Sequence, residues 1–347
     1  MSTALRKPIL LSMRTTDLYS HHTLLVLALS LSFGCSKNSE ITCGEGTHLE
    51  GTVCVPDEAD TDTDTDTDTD TDTDTDTDTG PEPDPTKSPK RGLAYNLVDS
   101  ADFAAISSGV SWWYNWYFQN DAPTDIESNE DMEFIPMLWG YNAESDYVVL
   151  ENWLVARPSV NDVLVMNEPN LVDQANMTPQ AAVSHWLRYE QFQADMLAKH
   201  NRSIRLIGPA MTWGTMENYA DPVVWLDAFY TAFNASEGRD PIIDVLAFHW
   251  YDYGLDEQLT RLEGFGKSFW VTEMANWHTA DDWTIDTPEK QMETMIDMVE
   301  ICESRPDVER YSWFIGRWDP DPHYTSIFQE EPGVLTDLGK AYIEQPW

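Results

Sequence analysis

Residues 90–347 of this 347-residue chain predict a single (β/α)8 barrel, the TIM-barrel form of the α/β class. Short apolar runs alternate with longer helix-patterned stretches, which is the signature of βα units around a parallel sheet. Eight runs occur in a segment close to the roughly 250 residues that one barrel takes. No glycine-rich phosphate loop follows the first run, and this disfavours a doubly wound open sheet.

In chain order the runs are Gly92–Asn96, Ser111–Trp116, Phe134–Leu138, Val163–Asn167, Ile204–Pro209, Val245–Trp250, Phe269–Thr272 and Tyr311–Phe314. Thr178–His200 and Pro288–Ser304 are amphipathic helical stretches between them. The second opens Thr287-Pro288-Glu289, a capping residue followed by a proline suited to the first helical turn.

The region before residue 90 is of another kind. Thr23–Gly34 is an apolar run too short to span a bilayer as a helix, with Arg14 upstream and Cys35 directly after it. It predicts an export signal over 1–34, of lipoprotein type, with Cys35 as the lipidation site; Met13-Arg14 makes a more ordinary start for it than Met1. In the short segment 35–59, Cys43 and Cys54 bracket a Gly-rich loop and predict a disulfide, as export permits. Cys302 is then left as a small buried apolar residue on a helix. From 60 to 89 the chain is a linker. Thr-Asp alternation runs from Asp60 to Thr79 and Gly80–Pro85 is Pro-rich. Repelling carboxylates keep such a tract extended, and without glycine turns it forms no calcium cage.

The chain carries a formal net charge of −41, and the part beyond residue 89 is strongly acidic too. Nucleic acid and anionic membrane would be repelled, so the membrane enters only through a lipid at Cys35. A neutral polysaccharide meets no such barrier. No Cys/His spacing suggests zinc, and neither a metal nor a cofactor is expected.

In a barrel of this kind the active site forms at the C-terminal ends of the strands. The fourth run ends Asn167-Glu168-Pro169-Asn170, the sixth His249-Trp250-Tyr251, the seventh Val271-Thr272-Glu273, and the eighth carries Trp313. Cleaving a glycosidic bond needs one carboxylic acid to protonate the leaving oxygen and a carboxylate across the sugar to attack or activate water. Glu168 and Glu273 meet that demand; the plainer alternative is that each pairs with a base at a strand end. Adjacent Asn167 and Glu168 would alternate to opposite faces, so the strand must turn there, as Pro169 encourages. His249 and Tyr251, two apart, share a face. Tyr251 is expected to hydrogen-bond Glu273 and His249 to orient it or a sugar hydroxyl. Trp116, Trp139, Trp213 and Trp313 fall at strand ends where an indole can stack on a pyranose, and Asn115 is a candidate hydroxyl partner.

The strings Lys90-Arg91-Gly92-Leu93, Trp113-Tyr114-Asn115-Trp116, Phe134–Gly140 (FIPMLWG), Asn167-Glu168-Pro169-Asn170, Gly208-Pro209-Ala210, His249-Trp250-Tyr251 and Trp270-Val271-Thr272-Glu273 together resemble glycoside hydrolase family 128, the endo-β-1,3-glucanases. Asn-Glu-Pro belongs to a whole clan of barrel glycosidases, and the other strings narrow it to the family. The resemblance implies a retaining double displacement, with Glu168 as acid/base, protonated at rest, and Glu273 as ionised nucleophile. It also implies that Asn167 binds the sugar 2-hydroxyl, that Trp313 stacks on sugar, and that Arg317–His323 and Gly333–Leu338 form the family's loop and closing helix. An exported bacterial enzyme, monomeric and acting on polysaccharide, is expected. A same-clan glycosidase of a β-1,4-glycan, or a cell-surface glycan-binding protein without catalysis, are the alternatives.

Overall fold

The structure, a computed structural model, describes residues 47–50, 53–56, 87–120, 122–123, 126 and 131–347. The predicted signal, Cys35, Cys43 and the Thr-Asp tract lie outside these residues, and with them the Cys43–Cys54 pairing. The chain divides after Asp78 into two units. The first contributes an antiparallel hairpin of β1 (Thr47–Glu50) and β2 (Val53–Pro56).

The second unit is a parallel α/β barrel. Its strands are β3 (Arg91–Ala94), β4 (Trp112–Tyr114), β5 (Glu133–Phe134), β6 (Met137–Leu138), β7 (Asp162–Val165), β8 (Arg205–Met211), β9 (Val245–Trp250), β10 (Phe269–Met274) and β11 (Val308–Trp313). They pair in the order β5-β4-β3-β11-β10-β9-β8-β7-β6. The two ends of that order are halves of one predicted run, broken at Ile135-Pro136. Ile135 N–H still donates to Trp113 O at 2.9 Å on one side, and Pro136 O accepts from Leu164 N–H at 2.9 Å on the other. Proline cannot supply a ladder donor, so the third strand is assigned as two pieces although it closes the circuit.

The helices between the strands are α1 (Ser100–Ile106), α2 (Glu144–Val155), α3 (Pro179–His200), α4 (Pro222–Glu237), α5 (Leu255–Leu262), α6 (Pro288–Ser304) and α7 (Asp337–Glu344). The longer ones begin as their sequences dictate. Thr178, Asp221 and Thr287 each cap a helix through the side chain, with proline in the first turn.

Strand alternation sorts the core into two shells. Along β4, Trp112 and Tyr114 face the barrel interior while Trp113 packs outward under the helices; along β9, Val245 and Ala247 face in while Leu246, Phe248 and Trp250 face out. Trp112 fits because it lies across Gly92, where a Cβ would stand 2.3 Å from the indole. The floor is finished by Arg310, whose guanidinium sits 4.6 Å over the Trp270 ring and pairs with Glu133 at 2.7 Å. The barrel interior is therefore filled at its N-terminal end, which leaves the C-terminal end for the site.

Candidate active site

Two local departures from regular strand geometry build the site. β7 stops at Val165, and Met166 (φ 59°) and Glu168 (φ 45°) then take left-handed backbone, unusual for residues with a side chain. This turn lets Asn167 bridge Ala210 of β8 while Glu168 swings to the rim. In β10 the register against β9 shifts between Val271, opposite Phe248, and Glu273, opposite His249. The extra residue acts as a bulge, so that Thr272 and Glu273 both reach the interior side, where strict alternation would have separated them.

Glu168, Glu273 and His249 come together there, all buried. One oxygen of each carboxylate and His249 Nδ1 lie within 4.8 Å of one another. His249 Nδ1 is 2.8 Å from Glu168 Oε1 and 3.3 Å from Glu273 Oε2, and its Nε2 is 2.9 Å from Thr272 Oγ1. These three donor atoms are close enough to hold a cation, but the hydrogen bonds among them occupy the same lone pairs. Fully enclosed, His249 can orient the carboxylates, and it has no surface left for a sugar hydroxyl.

Glu273 is surrounded by donors. Tyr114 Oη and Trp116 Nε1 donate to its Oε1 at 3.1 and 2.7 Å, and Tyr251 Oη donates to Oε2. Both tyrosines are held far above the ordinary phenol value, by burial first and then by the charge of Glu273, so they stay donors. Burial also raises the proton affinity of Glu168; His249 opposes this and the charge of Glu273 adds to it, with a net upward result. For His249 itself burial works against the imidazolium, but Glu273 and Glu168 outweigh it and its pKa rises. The arrangement can therefore supply a protonated carboxyl beside a carboxylate held by neutral donors, which is the pair of groups that glycosidic cleavage requires.

A family model for the glycosyl hydrolase catalytic core matches residues 92–342. An endo-β-1,3-glucanase of family 128, subgroup II, from Pseudomonas viridiflava is 51% identical, with a TM-score of 0.71, over 76% of this chain and 100% of its own. The chain belongs to glycoside hydrolase family 128. A second subgroup II endo-β-1,3-glucanase, from Sorangium cellulosum, is 26% identical with a TM-score of 0.60, over 74% of this chain and 98% of its own. An endo-β-1,3-glucanase of subgroup I from Amycolatopsis mediterranei, 21% identical over 74% of this chain and 99% of its own, shares the fold with a TM-score of 0.57. No curated protein matches the chain. It is a glycoside hydrolase with a family 128 barrel.

The remaining expected residues of this family 128 site divide into those at the cleft and those elsewhere. Trp116 and Trp139 are half-buried against the interior shell, at the ends of the second and third strands. Asn167 is buried with its Oδ1 unpartnered and its Nδ2 3.3 Å from Gln174 Oε1, so one acceptor at the site has no protein donor. Trp213 is 51% exposed in the loop after β8, under the Arg261 guanidinium at 5.3 Å.

Two expectations are corrected. Trp313 does not face the cleft: it is fully buried in the outer shell, its Nε1 donating to Thr325 O at 2.8 Å and its ring 6.1 Å from Tyr342. Ser312 and Phe314 carry the inward parity of β11, and Phe314 meets Trp116, Tyr251, Trp277 and Trp318. Asn115 is not a free hydroxyl partner. Its amide holds its own loop, donating to Asn96 Oδ1 and Gln119 O while its Oδ1 accepts from Tyr117 N–H.

Sequence reasoning missed Tyr114, Phe314 and Trp277, which stacks on Tyr251 at 3.9 Å. Tyr114 was within reach of it, since Trp112, Tyr114 and Trp116 are spaced by two and share one face. Phe314 needed the parity of β11, and Trp277 lies in a loop whose path no periodicity gives.

Proposed function

We propose that this enzyme hydrolyses β-1,3-glucan internally, with retention of anomeric configuration, by double displacement. Glu168 protonates the leaving oxygen while Glu273 attacks the anomeric carbon; water, deprotonated by Glu168, then releases the glycosyl group from Glu273. The observation that carries the reading is the approach of the two buried carboxylates to within 4.8 Å. Retaining enzymes separate the pair by about 5–5.5 Å, whereas inverting ones leave roughly 6.5–9.5 Å for a water. The linkage rests on the subgroup II endo-β-1,3-glucanase that is 51% identical.

Reducing ends released from laminarin, cellulose, mannan and xylan test the substrate, and proton NMR of the first anomer formed tests the stereochemistry. Turnover confined to a β-1,4-glycan, or an inverted first product, would overturn the respective half of the reading. The proposal includes a monomer, and an exported enzyme attached through Cys35; the apolar Thr23–Gly34 run supports the export and the attachment. Lipid labelling that persists in Cys35→Ala would remove the anchor from it.

A further inference from the structure

Beyond the aromatic wall at Glu273, the loops after β9 and β10 carry Tyr253 and Trp283, 36% and 66% exposed. Trp283 is the most exposed large hydrophobic residue among the described ones. A single apolar side chain in water is ordinary, but this one is braced from two loops. Tyr253 Oη donates to Trp283 O at 2.9 Å, and the two rings meet edge to face at 5.8 Å. Trp283 N–H donates to Asp281 Oδ1 at 2.9 Å, and the Thr284 hydroxyl donates to Asp281 O at 2.9 Å.

The base of this structure is His278. Its Nδ1 is 2.9 Å from Asp252 Oδ1, its Nε2 2.7 Å from Ala280 O, and its ring 5.4 Å from Tyr253. Its chain neighbour Trp277 is the ring stacked on Tyr251, which bonds the carboxylate of Glu273. The two rings therefore continue outward from the catalytic centre along loops at the same end of the barrel.

We infer that Trp283, braced by the edge-to-face ring of Tyr253, is a stacking platform for a pyranose of the glucan chain, beyond the sugars flanking the scissile bond. The inference rests on the proposed function for the identity of the chain. An indole braced by a neighbouring ring has less freedom to lose when its open face meets a sugar's C–H surface. The acids around it, Asp252, Asp281 and Asp282, repel anionic glycans and leave a neutral one as occupant. The platform gives the enzyme a preference for long chains over short ones.

The test is calorimetric binding of laminarihexaose and laminaribiose to the Glu168→Gln enzyme, alone and with Trp283→Ala or Trp347→Ala. Trp347, 56% exposed at the end of the chain, is the control for losing any surface indole. Trp283→Ala should weaken hexaose on the order of tenfold and leave biose unchanged, with Trp283→Phe intermediate. Hexaose binding by Trp283→Ala equal to that of the control, or equal weakening of both sugars, would overturn the platform. If the parent binds neither sugar, the β-1,3-glucan reading fails instead. The same comparison with short and long oligosaccharides of the glycan that the wild type cleaves then decides the platform separately.

Discussion

Trp116 gives its indole N–H to Glu273 Oε1 at 2.7 Å from a backbone held at φ 61°. Left-handed conformation for so bulky a residue costs of order 1–3 kcal/mol and persists only where its surroundings impose it. Tyr114 and Phe314 pack against the ring, 5.3 and 5.9 Å between centroids, and fix the direction of the N–H. Trp116→Phe is predicted to keep the packing and lose the donor. With a hydrogen bond to a charged group worth about 1.5–3 kcal/mol, kcat/KM should fall roughly ten- to a hundredfold with little change in Tm. A rate within about twofold of wild type would show the donor to be dispensable.

The two carboxylates should fail in different ways. Glu273→Ala is predicted to lose activity and, supplied with azide, to yield a glycosyl azide of inverted configuration, because the small anion enters where the carboxylate stood. Glu168→Ala should still turn over aryl glycosides whose leaving group needs no proton, with deglycosylation as the slow step. Reversal of the two patterns would exchange the roles.

The raised proton affinity of Glu168 has a direction that can be measured. Its neutral form is required for the first step, so kcat/KM should fall on an alkaline limb displaced upward from the ordinary carboxyl value of 4.5. Stability is linked to the same shift. With the folded pKa above the unfolded one, the contribution of Glu168 is fully present below 4.5 and is lost as pH rises through the folded value. The Tm of Glu168→Gln relative to wild type should therefore climb with pH across that range. A constant difference would place the carboxyl at its ordinary value.

Trp313 and Phe314 are adjacent but face different shells, and mutation should separate them. Trp313→Ala opens a cavity in the outer core and should cost about 3–5 kcal/mol of stability. Phe314→Ala should raise KM for oligosaccharides with a smaller loss of Tm, since its ring is half-buried in the cleft wall. A KM effect confined to Trp313→Ala would return the stacking role to the indole.

Those two residues mark how far the sequence could be read. Eight strands, the placing of Glu168 and Glu273 after the fourth and seventh, and the shared face of His249 and Tyr251 follow from apolar periodicity alone. The site's detail depends on where periodicity fails. The bulge that turns Glu273 inward beside Thr272, and the left-handed Met166 and Glu168, leave no mark in an alternating pattern, because the tertiary pairing imposes them. The resemblance implies a stacking aromatic after the eighth strand, but one aromatic follows another in Trp313-Phe314, and composition does not say which faces in.

Thr272 tests the electrostatics of that bulge. Its Oγ1 is the partner of His249 Nε2 at 2.9 Å, and both side chains are almost wholly buried. Valine has nearly the same shape and suits a strand, so Thr272→Val removes one hydrogen bond and little else. Left alone, a buried ring nitrogen costs about 1–3 kcal/mol, and more when the ring is charged. The folded pKa of His249 is raised above 6.5 by its two carboxylates. Its contribution to stability is therefore present below 6.5 and is lost as pH rises through the folded value. Without Thr272 the imidazolium loses an acceptor, so the variant's loss of Tm should be largest at acidic pH and shrink toward alkaline pH. Equal destabilisation at both ends would mean that His249 keeps one charge state throughout, and that it orients Glu168 and Glu273 by packing and hydrogen-bond direction alone.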